Sequence, residues 1–208
     1  MTTLVLVGFS CSGKTTISNA LAESVPGLDR FDTDEWVAKH NGVEHIWELP
    51  YRYGRRVALQ RIAQSERFFL RTHVADGTQI IAAGPFVPTH TDDWERFVTR
   101  TDAKVVLITI SPAEATKRLL KRRQSMIDDT AINSDHPMFG SWDDGVTTER
   151  LTPDGSWTLR SQTDSEDSVT DLIASLRTIY QATPGGLFAT LDSQDATAVE
   201  TLRSLLEP

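Results

Sequence analysis

Cys11 is the only cysteine among 208 residues, so no internal disulfide can staple the chain and the core must rest on apolar packing. No apolar run approaches the roughly 18 residues that a membrane-spanning helix needs. Positive charge is also short. The 21 Lys and Arg are outnumbered by 29 Asp and Glu, a net charge of -8, which argues against a broad basic surface for nucleic acid or anionic lipid and leaves room only for a local basic pocket. Internal repeats and low-complexity tracts are absent. The five histidines, at 40, 45, 73, 90 and 136, form no i, i+4 pair and have no cysteine neighbour, so a zinc site has little support and they are assigned to structure or surface. The first residues, Met-Thr-Thr-Leu, lack the basic start and apolar stretch of a secretion signal, and a cytoplasmic location is expected. What remains is an ordinary globular composition, 39% hydrophobic and 24% charged, of a length that suits one domain with a small-molecule partner.

Strand and helix signals alternate along the chain. Thr3 to Val7 is a β-branched apolar run that ends at Gly8, and Lys14 to Val25 carries Ile17, Ala20, Leu21 and Val25 at helical spacing before Pro26-Gly27. Leu28 to Phe31 reads as a short strand, followed by a helix closing at Asn41-Gly42 and a long helix from about Gly54 to Val74. Thr78 to Ala83 and Lys104 to Ile110 are further strands, and Ser111-Pro112 opens a helix running to about Arg123. Residues 121–148 read as a lid or flap, Trp157 to Arg160 as the last strand, and helices at about Asp167–Tyr180 and Asp195–Leu206 close the chain, with 182–208 forming a helical extension. Parallel neighbours need crossover helices, so the expected fold is an α/β three-layer sandwich with a mostly parallel sheet between helices.

The chemistry starts at Gly8-Phe9-Ser10-Cys11-Ser12-Gly13-Lys14-Thr15, which fits G-x-x-x-x-G-K-[ST] without a mismatch and lies between a strand and a helix as that motif requires. Backbone N–H groups from Gly8 to Thr16 would cradle phosphates, Lys14 would reach the β and γ phosphates, and Thr15 would ligate Mg²⁺. Cys11 fills a free position of the motif. Asp32 and Asp34 follow at a strand end, where an i, i+2 spacing aims both carboxylates toward the ligand-binding edge of the sheet. Asp32 is assigned to the metal and Asp34 to orienting or deprotonating an acceptor hydroxyl, the alternative being that Thr33-Asp34 only caps the next helix.

Over residues 3 to 123 this order of elements resembles shikimate kinase and its neighbours among the small P-loop metabolite kinases. The Asp-x-Asp strand end, Asn41-Gly42 and His45-Ile46-Trp47 carry the likeness beyond the loop. The resemblance implies a substrate-clamping arginine in a Phe-Arg-x-x-Glu pattern about twenty residues before a glycine-rich strand end. Counting back from Ala82-Ala83-Gly84 gives Arg61, with Arg55, Arg56 and Arg67 as competitors and no acid at Gln64. It implies Gly84 as an acceptor contact and a lid arginine, Arg122 or Arg123, as a catalytic group over the transferring phosphate. Both also fit a basic helix C-terminus. Only one glycine of the family's Gly-Gly-Gly remains, so the acceptor is expected not to be shikimate itself.

The resulting expectation is an ATP- and Mg²⁺-dependent kinase acting on a hydroxyl of a small anionic metabolite. A nucleoside or nucleotide kinase, and a P-loop regulatory module without an acceptor, stand as rivals.

Overall fold

The computed structural model describes residues 2–74, 76–119, 121, 147–151, 157–161 and 166–206. Five parallel strands form the central sheet: β1 (Thr3–Val7), β2 (Asp29–Asp32), β3 (Gln79–Ala82), β4 (Lys104–Thr109) and β7 (Ala189–Asp192), in the order β2-β3-β1-β4-β7. Two further strands, β5 (Thr147–Leu151) and β6 (Trp157–Ser161), pair antiparallel in a separate ribbon. The α/β layering with a parallel sheet is the one expected from the alternating pattern.

Strand periodicity explains the three layers. In β1, Val5 and Val7 point to one face and Leu4 and Leu6 to the other, since successive side chains alternate. Because crossover helices cover both faces, all four are fully buried. On the Val5 side lie α4 (Arg55–Thr72), α5 (Thr91–Thr101) and α7 (Glu166–Gln181), which contribute Phe69, Leu70, Trp94, Phe97, Leu176 and Tyr180. On the Leu4 side lie α1 (Lys14–Ser24) and α8 (Ala198–Leu206), through Ile17, Leu21 and Leu202. Short helices α2 (Thr33–His40) and α3 (Glu48–Tyr53) build a smaller cluster around Val37 and Leu49 beside α4. A helical run at 112–119, α6, follows β4.

Two side chains tie the second layer to the strand ends. Arg100 donates to the carbonyls of Leu70, Arg71 and His73, where the C-terminus of α4 has spare acceptors. Tyr180, fully buried in α7, donates its hydroxyl to Pro85 O at 2.8 Å, and burial pushes its pKa well up. The segment after β3 is thus held by α7.

Three expectations need correction. The last strand of the main sheet is Ala189–Asp192, not Trp157–Arg160, which lies in the ribbon. The segment 182–208 is therefore not a helical extension: among its described residues a strand pairs with β4, Phe188 N donates to Val105 O, and only then does α8 begin. Helix α5 sits where the sequence reading assigned nothing. The flap expected at 121–148 lies almost wholly outside the described residues.

If the C-terminal segment belongs to the core, trimming Leu202, which is fully buried against α1, will cost stability. Leu202→Ala should destabilise the fold by about 2–5 kcal/mol in urea unfolding. A loss near zero would mean that α8 is a detachable appendage.

Candidate active site

At the carboxyl ends of β1, β2 and β3 the chain opens a cavity of about 640 Å³. This is the edge at which open parallel sheets place ligands, here beside β1, from which the chain first runs to one side of the sheet and later to the other. Gly8 makes the exit from β1 possible. Its φ is 151°, and a Cβ there would run into the carbonyl oxygen of Ile108. The loop then enters α1 through Gly13, and that helix has no side-chain cap, so the N–H groups of its first turn are available to an anion. Lys14, almost buried, donates its Nζ to the carbonyls of Gly8 at 2.8 Å and Phe9 at 3.0 Å. Cys11 takes φ 62°, unusual for a residue with a side chain, and its carbonyl accepts from Arg118 at 3.2 Å.

Asp32 divides its two oxygens. Oδ1 caps α2 by accepting from the N–H of Asp34 at 2.9 Å and of Glu35 at 3.4 Å, while Oδ2 accepts from Thr15 Oγ1 at 2.7 Å. The cap is thus Asp32, not the Thr33-Asp34 pair considered from the sequence. Arg30 stands 3.6 Å from the same Oδ2 and forks onto both oxygens of Glu35. That hydrogen bond is the chief cause that raises the Arg30 pKa and lowers that of Glu35.

Asp34 comes to the cavity from the first turn of α2 rather than from an extended i, i+2 segment. A Cβ on Gly84 would stand 2.8 Å from Asp34 Oδ1 and 3.3 Å from Thr33 Oγ1, which itself accepts from Gly84 N at 2.7 Å. A side chain at this position would have to displace the Asp34 carboxylate.

The cavity gathers most of the candidates read from the sequence. Ser10, Cys11, Gly13, Lys14, Thr15, Thr16, Asp32, Asp34 and Gly84 line it together. Arg61 does not. It stacks over the ring of Tyr53, 4.1 Å from the centroid, and lines an open groove with His40, Asn41 and Gln64 on another face of α4. Arg122 and Arg123 lie outside the described residues.

The donor set fits a nucleotide and its cation. The buried Oγ atoms of Ser12, in the loop, and Ser193, on the cavity wall, have no partner among the described residues. Thr15 and Asp32 form an all-oxygen pair of the kind that suits a hard divalent cation.

Residues 4–138, well over half of the chain, match the AAA domain family. The chain belongs to that family. This AAA domain is also 25% identical over 173 residues to a shikimate kinase of Thermodesulfovibrio yellowstonii, a match spanning 74% of this chain and 90% of that one. The crystal structure of shikimate kinase from Bacteroides thetaiotaomicron superposes with a TM-score of 0.56 at 16% identity, covering 100% of this chain and 99% of that chain. The enzyme from Acinetobacter baumannii, in complex with shikimate, gives 0.59 at 16%, covering 99% and 91%. The AAA domain described here therefore has the P-loop fold of the shikimate kinases.

Sequence reasoning missed two groups lining this cavity, Arg118 and Ser193, and one buried acid near Gly84, Glu66. Arg118 lies four residues before Arg122 in the sequence, and attention to that i, i+4 spacing would have found it. Ser193 follows the overlooked strand β7. Glu66 is buried with one oxygen 3.4 Å from the point where a Gly84 Cβ would stand. Against the Phe-Arg-x-x-Glu pattern, Ile62-Ala63-Gln64-Ser65-Glu66 supplies the acid and puts alanine where the arginine would be, two residues on from the register that selected Arg61.

Replacing Lys14 by alanine should weaken ATP binding ten- to a hundred-fold, the loss of a charge-assisted contact of about 1.5–3 kcal/mol, with the circular dichroism spectrum preserved. Calorimetry returning an unchanged Kd would contradict the assignment.

Proposed function

We propose that this AAA domain is an ATP- and Mg²⁺-dependent kinase that moves the γ-phosphoryl group onto a hydroxyl of a small molecule. The observation that carries this reading is the placement of Asp34 and Gly84 with the P-loop residues Lys14 and Thr15 in one cavity. A protein that only binds nucleotide needs one carboxylate for the cation, which Asp32 can supply, and has no use for a second in the same cavity. The likeness to shikimate kinases in sequence and fold supports the same reaction class.

In this reading the backbone from Gly8 to Thr16 and the ammonium of Lys14 hold the phosphates. Lys14 gives up its contacts with the Gly8 and Phe9 carbonyls to do so. Thr15 and Asp32 hold Mg²⁺, which neutralises phosphate charge when bound. Arg118, anchored on Cys11 O and on Glu114 at 2.8 Å, borders the nucleotide's side of the cavity. Asp34 accepts the hydrogen bond of the acceptor hydroxyl and takes its proton as the oxygen attacks the γ-phosphorus. The bond from that phosphorus to the bridging oxygen breaks, and ADP leaves with the electron pair. Backbone atoms of Gly84 can approach the acceptor because no side chain stands there. Arg122 or Arg123 would close over the transferring group and exclude water.

Asp34→Asn should leave the Kd for ATP within about threefold and lower transfer by about 10²- to 10⁴-fold, the range for a lost general base. Coupled ADP release with pooled polyols, hydroxy acids and nucleosides measures it. Wild-type protein that binds ATP but releases no ADP faster with any pool would identify a regulatory module instead.

A further inference from the structure

A second cavity, of about 680 Å³, opens between the end of α2 and the outer face of α4, and it shares no lining residue with the P-loop cavity. That is the size of a small-molecule site. Three aromatic rings meet there: Trp36, His40 and Phe68 lie near-parallel, with centroids 4.7 to 6.0 Å apart and planes within 25° of one another. The stack is unfinished. Phe68 is 49% exposed, and with Val57 and Tyr53 it makes three of the five large hydrophobic side chains left exposed among the described residues. A further flat ring laid on Phe68 would extend the same offset stacking and cover apolar surface.

Around the rings stand side-chain amides. Asn41 Nδ2 donates to Val37 O and to Ser65 Oγ, both at 2.9 Å, which fixes that amide and leaves its Oδ1 as an acceptor. Gln60 and Gln64 line the groove with no hydrogen-bond partner among the described residues. An edge that alternates donors and acceptors, as in a nitrogen heterocycle, matches them.

The charge is of one sign. In a chain of net charge -8, the exposed charged residues of α4 with described side chains are Arg56, Arg61, Arg67 and Arg71, while its one acid, Glu66, is buried. Arg67 turns to His90 and Arg71 to Asp93. Arg61, on the groove, rests on the Tyr53 ring and has no acidic partner among the described residues, so its guanidinium fork is open to a carboxylate or phosphate.

We propose that this groove binds a planar heteroaromatic molecule bearing an acid group, of the size of a nucleoside monophosphate. The ring stacks on Phe68, its edge meets Asn41, Gln60 and Gln64, and the acid lies on Arg61. Arg61 thus keeps the anion-binding role expected from the sequence, at a site apart from the acceptor. The occupant rests on the last turn of α2, the helix whose first turn carries Asp34. The proposal stands independently of the kinase reading.

The test is calorimetric, in protein carrying Mg²⁺ and a saturating non-hydrolysable ATP analogue, which keeps the P-loop filled. AMP, GMP, CMP and UMP would be titrated beside their nucleosides and ribose 5-phosphate. At least one monophosphate should bind with a Kd below about 1 mM, and its nucleoside and ribose 5-phosphate at least about tenfold more weakly. Phe68→Ala and Arg61→Met, which alter exposed side chains, should each weaken that monophosphate about fivefold or more with an unchanged melting temperature, and Asp34→Asn should leave it within about twofold. Four outcomes would overturn the proposal. They are no binding by any monophosphate, binding that both groove variants leave intact, binding lost in Asp34→Asn but kept in Arg61→Met, and a wild-type dimer in sedimentation that Phe68→Ala abolishes, which would make a second copy the occupant. An analogue that fails to bind would count against the kinase reading alone, and the groove would still be judged by Phe68 and Arg61.

Discussion

Gly8 has no room for a side chain, and the rest of the cavity depends on that. With the Ile108 carbonyl pressed against the place a Cβ would occupy, the backbone turns out of β1 at a positive φ and folds its next carbonyls back on Lys14. The lysine is therefore fixed before any ligand arrives, and α1 begins with its N–H groups uncapped. Strand β4 contributes to this geometry without bearing a functional side chain, because its Ile108 carbonyl is the wall against which the loop is shaped. A P-loop is thus a property of two strands and a helix, and the five-stranded sheet exists around that requirement.

Asp32 shows how one side chain can link the layers. Its Oδ1 starts α2 and its Oδ2 holds Thr15 of α1, so the end of β2, the Thr15 hydroxyl and the helix that carries Asp34 are set by a single carboxylate. Arg30 keeps positive charge next to it and is itself held by Glu35. The cavity is also lined by Ala82 to Pro85, a segment held by Thr33 on Gly84 N and by Tyr180 on Pro85 O.

What could be read from the sequence was what local chemistry determines. The P-loop, β1, α1 and the Asp32-Thr33-Asp34 corner depend on residues adjacent in the chain, and the structure brings all of them to one cavity. Strand β7 escaped because it is a four-residue edge strand with only alternate positions partly buried, yet Gly185-Gly186 followed by an apolar stretch was a usable strand signal. Arg61 was chosen by counting from Gly84, and a count cannot tell which face of an eighteen-residue helix meets the site. Elsewhere on that helix, buried Glu66 is paired with His90, twenty-four residues on. Such a pairing has no local signature.

The account stands most directly on where a nucleotide lies. A crystal structure with Mg²⁺ and a non-hydrolysable ATP analogue should show the triphosphate along residues 8–16, the cation on Thr15 and Asp32, and Lys14 Nζ moved from the Gly8 and Phe9 carbonyls to phosphate oxygens, with the terminal phosphate facing Asp34. An analogue bound elsewhere, or Lys14 still holding both carbonyls beside a bound triphosphate, would contradict it.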